Sequence, residues 1–268
     1  MLCFPNAKIN IGLYITEKRP DGYHTIESIF YPIPLRDALE VVVSPQTTIT
    51  LSGLPLDNAA DDNLVMKAYT LMAAHTNVPT LAIYLKKAIP SGAGLGGGSA
   101  DAAFMLHLLN TLSEKPLPEE TLLNLAEQLG ADCPFFIRNK PAIVTGTGNL
   151  YQPAQTSLKG YTLCIVKPPV SVSTKEAYSM VKPKPTLFSM EYMSTVPVRE
   201  WKSFFFNDFE PFVFRKYPII QEIKDMFYAA GAAYASMTGS GSAVYGIFQN
   251  DVMLPVLKDC FTWKGFLD

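Results

Sequence analysis

No uninterrupted apolar stretch in this sequence comes near the roughly 20 residues that a helix needs to cross a bilayer, so no membrane partner is expected and the chain reads as soluble. Positive charge is not in excess either. The 22 Lys and Arg stand against 24 Asp and Glu, a formal net charge of −2, and form no basic run. The long-range attraction on which nucleic-acid binding rests is therefore missing, and nucleic acid is not an expected partner. Cysteine is scarce: Cys3, Cys133, Cys164 and Cys260 lie far apart, match no metal-ligand spacing and are too few for a disulfide scaffold. Reduced thiols in a cytoplasm are the simplest account. Residues 1–15 carry no basic leader and no small-residue cleavage site, and Lys8 interrupts them, so the segment reads as mature protein with no room for a transit peptide.

What is present suits a globular enzyme. Hydrophobic residues make up 48% of the chain and charged residues 17%, which supplies core material and argues against disorder. A length of 268 residues suggests two domains, and the polar, turn-rich stretch 152–160 places their boundary, giving domains 1–153 and 154–268. Strand periods are expected over 7–16, 39–43, 48–52, 80–87, 161–166, 233–237 and 243–248. Helical periods are expected over 63–75, with Asp62 as N-cap, from Ser99 onward, over 118–129 with Gly130 as its stop, and over 219–230 with Ile219, Ile220, Ile223, Met226 and Phe227 inward. The class is mixed α and β.

The most informative stretch is Ile89-Pro90-Ser91-Gly92-Ala93-Gly94-Leu95-Gly96-Gly97-Gly98-Ser99-Ala100-Asp101, with five glycines in seven residues. Glycine lets backbone amides converge on one concavity, and a helix beginning behind it adds partial positive charge, a combination that binds phosphate. The Gly-Lys-Ser/Thr ending of a Walker A loop is absent, and the glycine spacing of a dinucleotide fingerprint does not fit. A flexible surface turn would need neither the preceding strand nor the alanine-rich helix.

Three other places carry candidate chemistry. In Gly130-Ala131-Asp132-Cys133-Pro134-Phe135-Phe136 a single carboxylate sits between a helix stop and an apolar segment expected to be a buried strand; Asp132 is either a turn residue or an acid tuned by its surroundings. Lys8 alternates with Asn6 and Asn10 on a strand face read as polar rather than core, either solvated or facing a polar ligand. The turn Arg19-Pro20-Asp21-Gly22-Tyr23-His24 offers a ring for stacking and an imidazole for hydrogen bonding, or is merely a surface hairpin. The small turn Thr238-Gly239-Ser240-Gly241-Ser242 admits close backbone approach by a ligand or by another loop.

Taken together and in order, these segments resemble the galactokinase, homoserine kinase, mevalonate kinase and phosphomevalonate kinase (GHMP kinase) superfamily. Ala7-Lys8-Ile9-Asn10, the Tyr23-His24 turn and the Gly94-Leu95-Gly96-Gly97-Gly98-Ser99 form of the loop look like the branch whose substrate is a methylerythritol bearing a cytidine diphosphate group. The resemblance implies a two-domain α+β fold, with an N-terminal domain like a ribosomal-protein domain, a ferredoxin-like C-terminal domain and an active site between them. It implies transfer of the ATP γ-phosphate to the substrate's 2-hydroxyl, with Mg²⁺ as cofactor and ADP as the other product. By position, Asp132 matches the family's catalytic base and Lys8 the lysine that stabilises its ionised form. Pro90, Gly92, Gly94, Leu95, Gly96, Gly97, Gly98 and Ser99 match the nucleotide loop, and Asn63 and Lys87 lie at positions around the adenosine. Asn10, Tyr23, His24, Thr174 and Tyr178 match substrate positions, with a cytosine expected between Tyr23 and Tyr178.

Two departures from the family pattern stand out: Ala100 replaces a second serine, and Asn149 stands where Gly-Glu often follows Gly-x-Gly. The first leaves Ser99 but no acidic Mg²⁺ ligand to name, so the ion is expected on phosphate and water. The rival readings are another kinase of the superfamily, acting on homoserine, mevalonate or a sugar, and a nucleotide-binding sensor without turnover.

Overall fold

The computed structural model describes residues 1–55 and 63–268. In chain order the strands are β1 (Leu2–Cys3), β2 (Asn6–Lys18), β3 (His24–Arg36), β4 (Ala38–Val43), β5 (Thr48–Gly53), β6 (Leu81–Lys87), β7 (Ala142–Thr145), β8 (Leu150–Pro153), β9 (Thr162–Lys167), β10 (Tyr234–Met237), β11 (Val244–Phe248) and β12 (Phe261–Phe266). The α-helices are α1 (Leu64–Ala73), α2 (Gly97–Leu112), α3 (Glu119–Leu129), α4 (Cys133–Arg138), α5 (Thr174–Met180), α6 (Met190–Met193), α7 (Trp201–Phe204), α8 (Glu210–Lys216) and α9 (Pro218–Ala229). The class is α+β.

The chain forms two compact units interleaved in sequence: Met1–Ala7, Leu35–Ser91 and Gly96–Lys140 make one, and Lys8–Pro34, Gly92–Leu95 and Pro141–Asp268 make the other. The first contains a sheet ordered β1-β4-β6-β5, in which β5 runs parallel to β6 and the other pairs are antiparallel. Its helices pack on one another, α1 on α2, α2 on α4 and α3 on α4. Asn63 is the N-cap of α1, its Oδ1 accepting the Val65 amide at 2.9 Å. Asp62, expected in that role, lies outside the described residues.

Two local expectations in this unit change. Helix α2 begins at Gly97, not Ser99, because Gly96 takes a left-handed φ of 72° as N-cap and turns the chain straight into the helix. The expected strand after Asp132 is the helix α4, with Pro134 in its first turn, where proline's fixed φ suits a helix. Cys133, Pro134, Phe135, Phe136 and Ile137 are all buried, so no apolar period distinguished helix from strand.

The second unit contains two sheets, β2-β3-β7-β8 and the antiparallel β10-β11-β9-β12. Helix α9 packs on β10 and β11 through Ile220, Ile223 and Phe227, all buried, each contributing about 1.5–3 kcal/mol of hydrophobic stabilisation. Ile219, expected inward, is exposed, since the spacing of 220, 223 and 227 fixes which stripe faces the sheet. These side chains join a cluster with Leu13, Ile15, Val166, Phe209 and Met237.

Candidate active site

The phosphate-turn sequence emerges from β6 and ends in the first turn of α2. Gly92, Gly94 and Gly96 all have positive φ, at 60°, 75° and 72°, where a side chain would be strained. The α2 amides at Gly97, Gly98 and Ser99 are first-turn donors without intrahelical acceptors, at the positive end of a 16-residue helix. Gly98 is exposed and Ser99 half-buried, and Pro90 precedes the turn.

Within the second unit, Gly94 and Leu95 are braced from two sides. The Lys8 amide donates to the Leu95 carbonyl at 2.9 Å, and the Ala243 amide to the Ala93 carbonyl at 3.2 Å. Thr238 Oγ1 lies 3.0 Å from the Gly94 carbonyl and 3.2 Å from Asn10 Oδ1, sharing its proton between them, and accepts the Asn10 amide at 3.1 Å. The turn after β10 is held in its own right by Asn207, whose Nδ2 donates to the carbonyls of Met237 and Gly239 at 2.9 Å each. Thr238 thus serves the glycine turn as a clamp.

The strand face read from sequence as polar and outside the core is buried: Asn6 is 7% exposed, Lys8 3% and Asn10 2%. Burial of such groups is tolerated because they bond to protein. Lys8 Nζ donates to Asn10 Oδ1 at 2.6 Å and stands 4.6 Å from the Phe30 ring centroid. Asn10 Nδ2 donates to Ser28 Oγ at 3.1 Å, and its backbone carbonyl accepts the Tyr245 hydroxyl at 2.8 Å. Asn6 exchanges side-chain hydrogen bonds with Asn139.

Asp132 is the N-cap residue of α4, half-buried, with no capping bond from its side chain to that helix. Cys133 behind it is buried, which pushes its thiol up to about 12. The structure brings His24 and Tyr178 together as stacked rings, centroids 5.1 Å apart at 29°, while Phe209 meets Tyr178 edge-on at 4.9 Å. Partial burial, reinforced by the Lys18 charge, lowers the His24 pKa below 6.5, so its imidazole is neutral at pH 7. Tyr23 is 68% exposed. Thr174, first in α5, is 2.8 Å from the Ser240 hydroxyl.

Two family models match the chain. That for the GHMP kinase N-terminal domain covers residues 63–140 and that for the GHMP kinase C-terminal domain residues 199–252. The chain is 53% identical over 270 residues, the full length of both sequences, to the 4-diphosphocytidyl-2-C-methyl-D-erythritol kinase of Parabacteroides distasonis.

The chain belongs to the GHMP kinase family.

A crystal structure of a 4-(cytidine 5'-diphospho)-2C-methyl-D-erythritol kinase superposes on this GHMP kinase with a TM-score of 0.78 at 30% identity, covering 92% of this chain and 90% of that one. The mevalonate kinase of Methanococcus jannaschii gives 0.70 at 13% identity over 100% of this chain and 98% of its own, a likeness of fold. The protein is a small-molecule phosphotransferase with the two-domain α+β fold of its family. Among its described residues no helix is long and apolar enough to cross a membrane.

Three groups of this GHMP kinase were missed at the level of sequence. Asp37 and Asp101 enclose Lys87, which is 4% exposed and bonds Asp37 Oδ2 and, at 2.6 Å, Asp101 Oδ2. Glu210 is buried, accepting the Met237 amide at 2.9 Å and pairing with Lys224 at 2.6 Å. Asp101 alone left a signal, as the one charged residue in the alanine-rich start of α2.

Proposed function

We propose that this kinase transfers the γ-phosphate of ATP to the 2-hydroxyl of 4-diphosphocytidyl-2-C-methyl-D-erythritol, giving ADP and the 2-phosphate, in non-mevalonate isoprenoid precursor synthesis. The observation that carries the substrate is the full-length, 53% identical relative of that name. The left-handed glycines of the turn and the α2 N-terminus support the phosphate chemistry.

In this reading the amides of Gly92, Gly94, Leu95, Gly96, Gly97, Gly98 and Ser99, following Pro90, hold the phosphates, with Asn63 and Lys87 at positions around the adenosine, Lys87 buried and paired with Asp37 and Asp101. Asp132 accepts the proton of the acceptor hydroxyl, whose oxygen bonds to the γ-phosphorus as its bond to the ADP oxygen breaks. Lys8, oriented by Asn10, offsets negative charge developing on the transferred group. Tyr23, His24, Thr174 and Tyr178 receive the cytidine diphosphate end, the rings offering stacking surface to the cytosine. Mg²⁺ would be held by the ATP phosphates and water, with the Ser99 hydroxyl in the first turn of α2 as a protein oxygen able to join them. When bound, the ion supplies charge neutralisation. The domain division 1–153 and 154–268 and a cytoplasmic location belong to the same reading; the two family matches fall on either side of that division.

The test is ADP release with Mg²⁺-ATP and, in parallel, the cytidyl substrate, mevalonate and homoserine, with Asp132→Asn as control. Turnover with the cytidyl substrate alone is expected. Turnover with either other alcohol would overturn the substrate assignment.

A further inference from the structure

Lys87 is the last residue of β6, and its ammonium joins two segments that meet the phosphate turn. Asp37 Oδ2 accepts from Lys87 Nζ, and Asp37 Oδ1 accepts the amides of Ala88 and Ile89, the second at 2.9 Å. Those two residues lead into Pro90 and the turn. Asp101 Oδ2 accepts from the same Nζ at 2.6 Å, and Asp101 stands one helical turn beyond Gly97, on the first stretch of α2. The backbone of Gly97 rests on this assembly: a Cβ there would come 2.8 Å from Ile89 Cγ2 and 3.4 Å from Lys87 Nζ.

The cluster is costly. Asp37 is 1% exposed, Asp101 2% and Lys87 4%, and Asp101 Oδ1 is buried with no hydrogen-bond partner among the described residues. Ionised groups lose their hydration on burial, and apolar side chains of similar volume are often as stabilising or more so. What an apolar filling lacks is direction, because a hydrogen-bonded ammonium fixes the angle between the two segments it joins. Burial pushes the Asp101 carboxyl up to about 8 despite Lys87, which fits a cluster carrying one proton and little net charge.

We propose that Asp37, Lys87 and Asp101 are positioning residues for nucleotide binding, tying the exit of β6 and the first turn of α2 to one ammonium so that the Gly97, Gly98 and Ser99 amides keep the direction a triphosphate requires. This rests on the reading that the glycine turn holds ATP phosphates. Lys87 acts through the backbone it supports.

The experiment compares full-length wild type with Asp101→Leu, which keeps volume and removes the tie, and with Asp101→Asn, which keeps an oxygen for Lys87 and cannot ionise. Each is assayed for KM of ATP, KM of the alcohol substrate, kcat and thermal unfolding. Asp101→Leu is expected to raise KM for ATP about tenfold, with the alcohol KM within about threefold, and Asp101→Asn to restore the ATP KM. Should Asp101→Leu not fold, Asp101→Ala is read the same way. An unchanged ATP KM in a folded Leu or Ala variant, whatever its melting temperature, would overturn the proposal, as would failure of Asn to restore it. Gly96→Ala, which strains the helix entry directly, separates the two layers. If it raises the ATP KM and Asp101→Leu does not, the positioning role alone falls; if neither raises it, the phosphate-turn reading falls too.

Discussion

The carbonyl oxygen of Thr238 stands 2.1 Å from where a Cβ on Gly94 would lie, while the Thr238 hydroxyl reaches the Gly94 carbonyl at 3.0 Å. The two residues are 144 apart in sequence. Backbone here touches backbone, so the absence of a side chain at 94 is a packing requirement as well as a conformational one.

Gly94→Ala combines that overlap with a left-handed φ of 75° and is expected to destabilise the protein by about 1–3 kcal/mol and to raise KM for ATP. Thermal unfolding and ATP titration of the purified variant check it. Gly22, also left-handed at 86° but with nothing near its Cβ position, is the comparison site, where Ala brings backbone strain alone.

Asp132→Asn keeps the size of the side chain and removes the proton acceptor. The expected result is a fall in kcat of about 10²–10⁴-fold with ATP affinity nearly intact. Single-turnover kinetics and nucleotide titration measure the two quantities separately; undiminished turnover would remove Asp132 from the base role.

Tyr178→Ala removes a ring stacked on His24 and edge-packed by Phe209. Affinity for CDP is expected to drop by about 5- to 10-fold, on the scale of one lost aromatic pairing, with ATP affinity little changed, and Tyr178→Phe to recover most of it. Calorimetric titration with CDP and ATP decides the matter. Equal losses for the two nucleotides would contradict a cytosine site at this ring.

Asp101 sets a pH dependence whose sign follows from its surroundings. Burial raises its carboxyl from 3.8 to about 8, with Lys87 opposing and Asp37 adding to the rise. Between those values the folded chain holds a proton that the unfolded chain has released, so stability falls as pH rises, by up to about 1.4 kcal/mol per pH unit. Lys87, raised above 10.5, stays charged across this window, and Cys3, pushed up to about 12 by burial and the Asp101 charge, stays a thiol. Urea unfolding at about pH 5 and about pH 8 should show wild type losing stability relative to Asp101→Asn. Parallel profiles would refute the shift.

Much of the secondary structure was legible because its signals are local. The strand periods at 39–43 and 80–87 and the helix over 118–129 follow from signals within one element, and the Gly130 stop from residue type alone. Helix α4 was misread as a strand because an all-apolar run has no period to measure. The polar alternation of Asn6, Lys8 and Asn10 was legible, but its burial was not. That depends on residues such as Ser28 and Thr238, the latter 228 positions from Asn10.

By itself, the amino-acid sequence determined the glycine turn, the helix that follows it and the residues that mark a kinase, because backbone freedom, helix entry and motif spacing are properties of neighbouring residues. Only the tertiary structure decided that Thr238 clamps Gly94, that Lys87 lies between Asp37 and Asp101, and that Tyr178 stacks on His24. Each of those relationships joins segments far apart in the chain, and their energy comes from desolvation and packing that exist only once the sheets and helices have assembled.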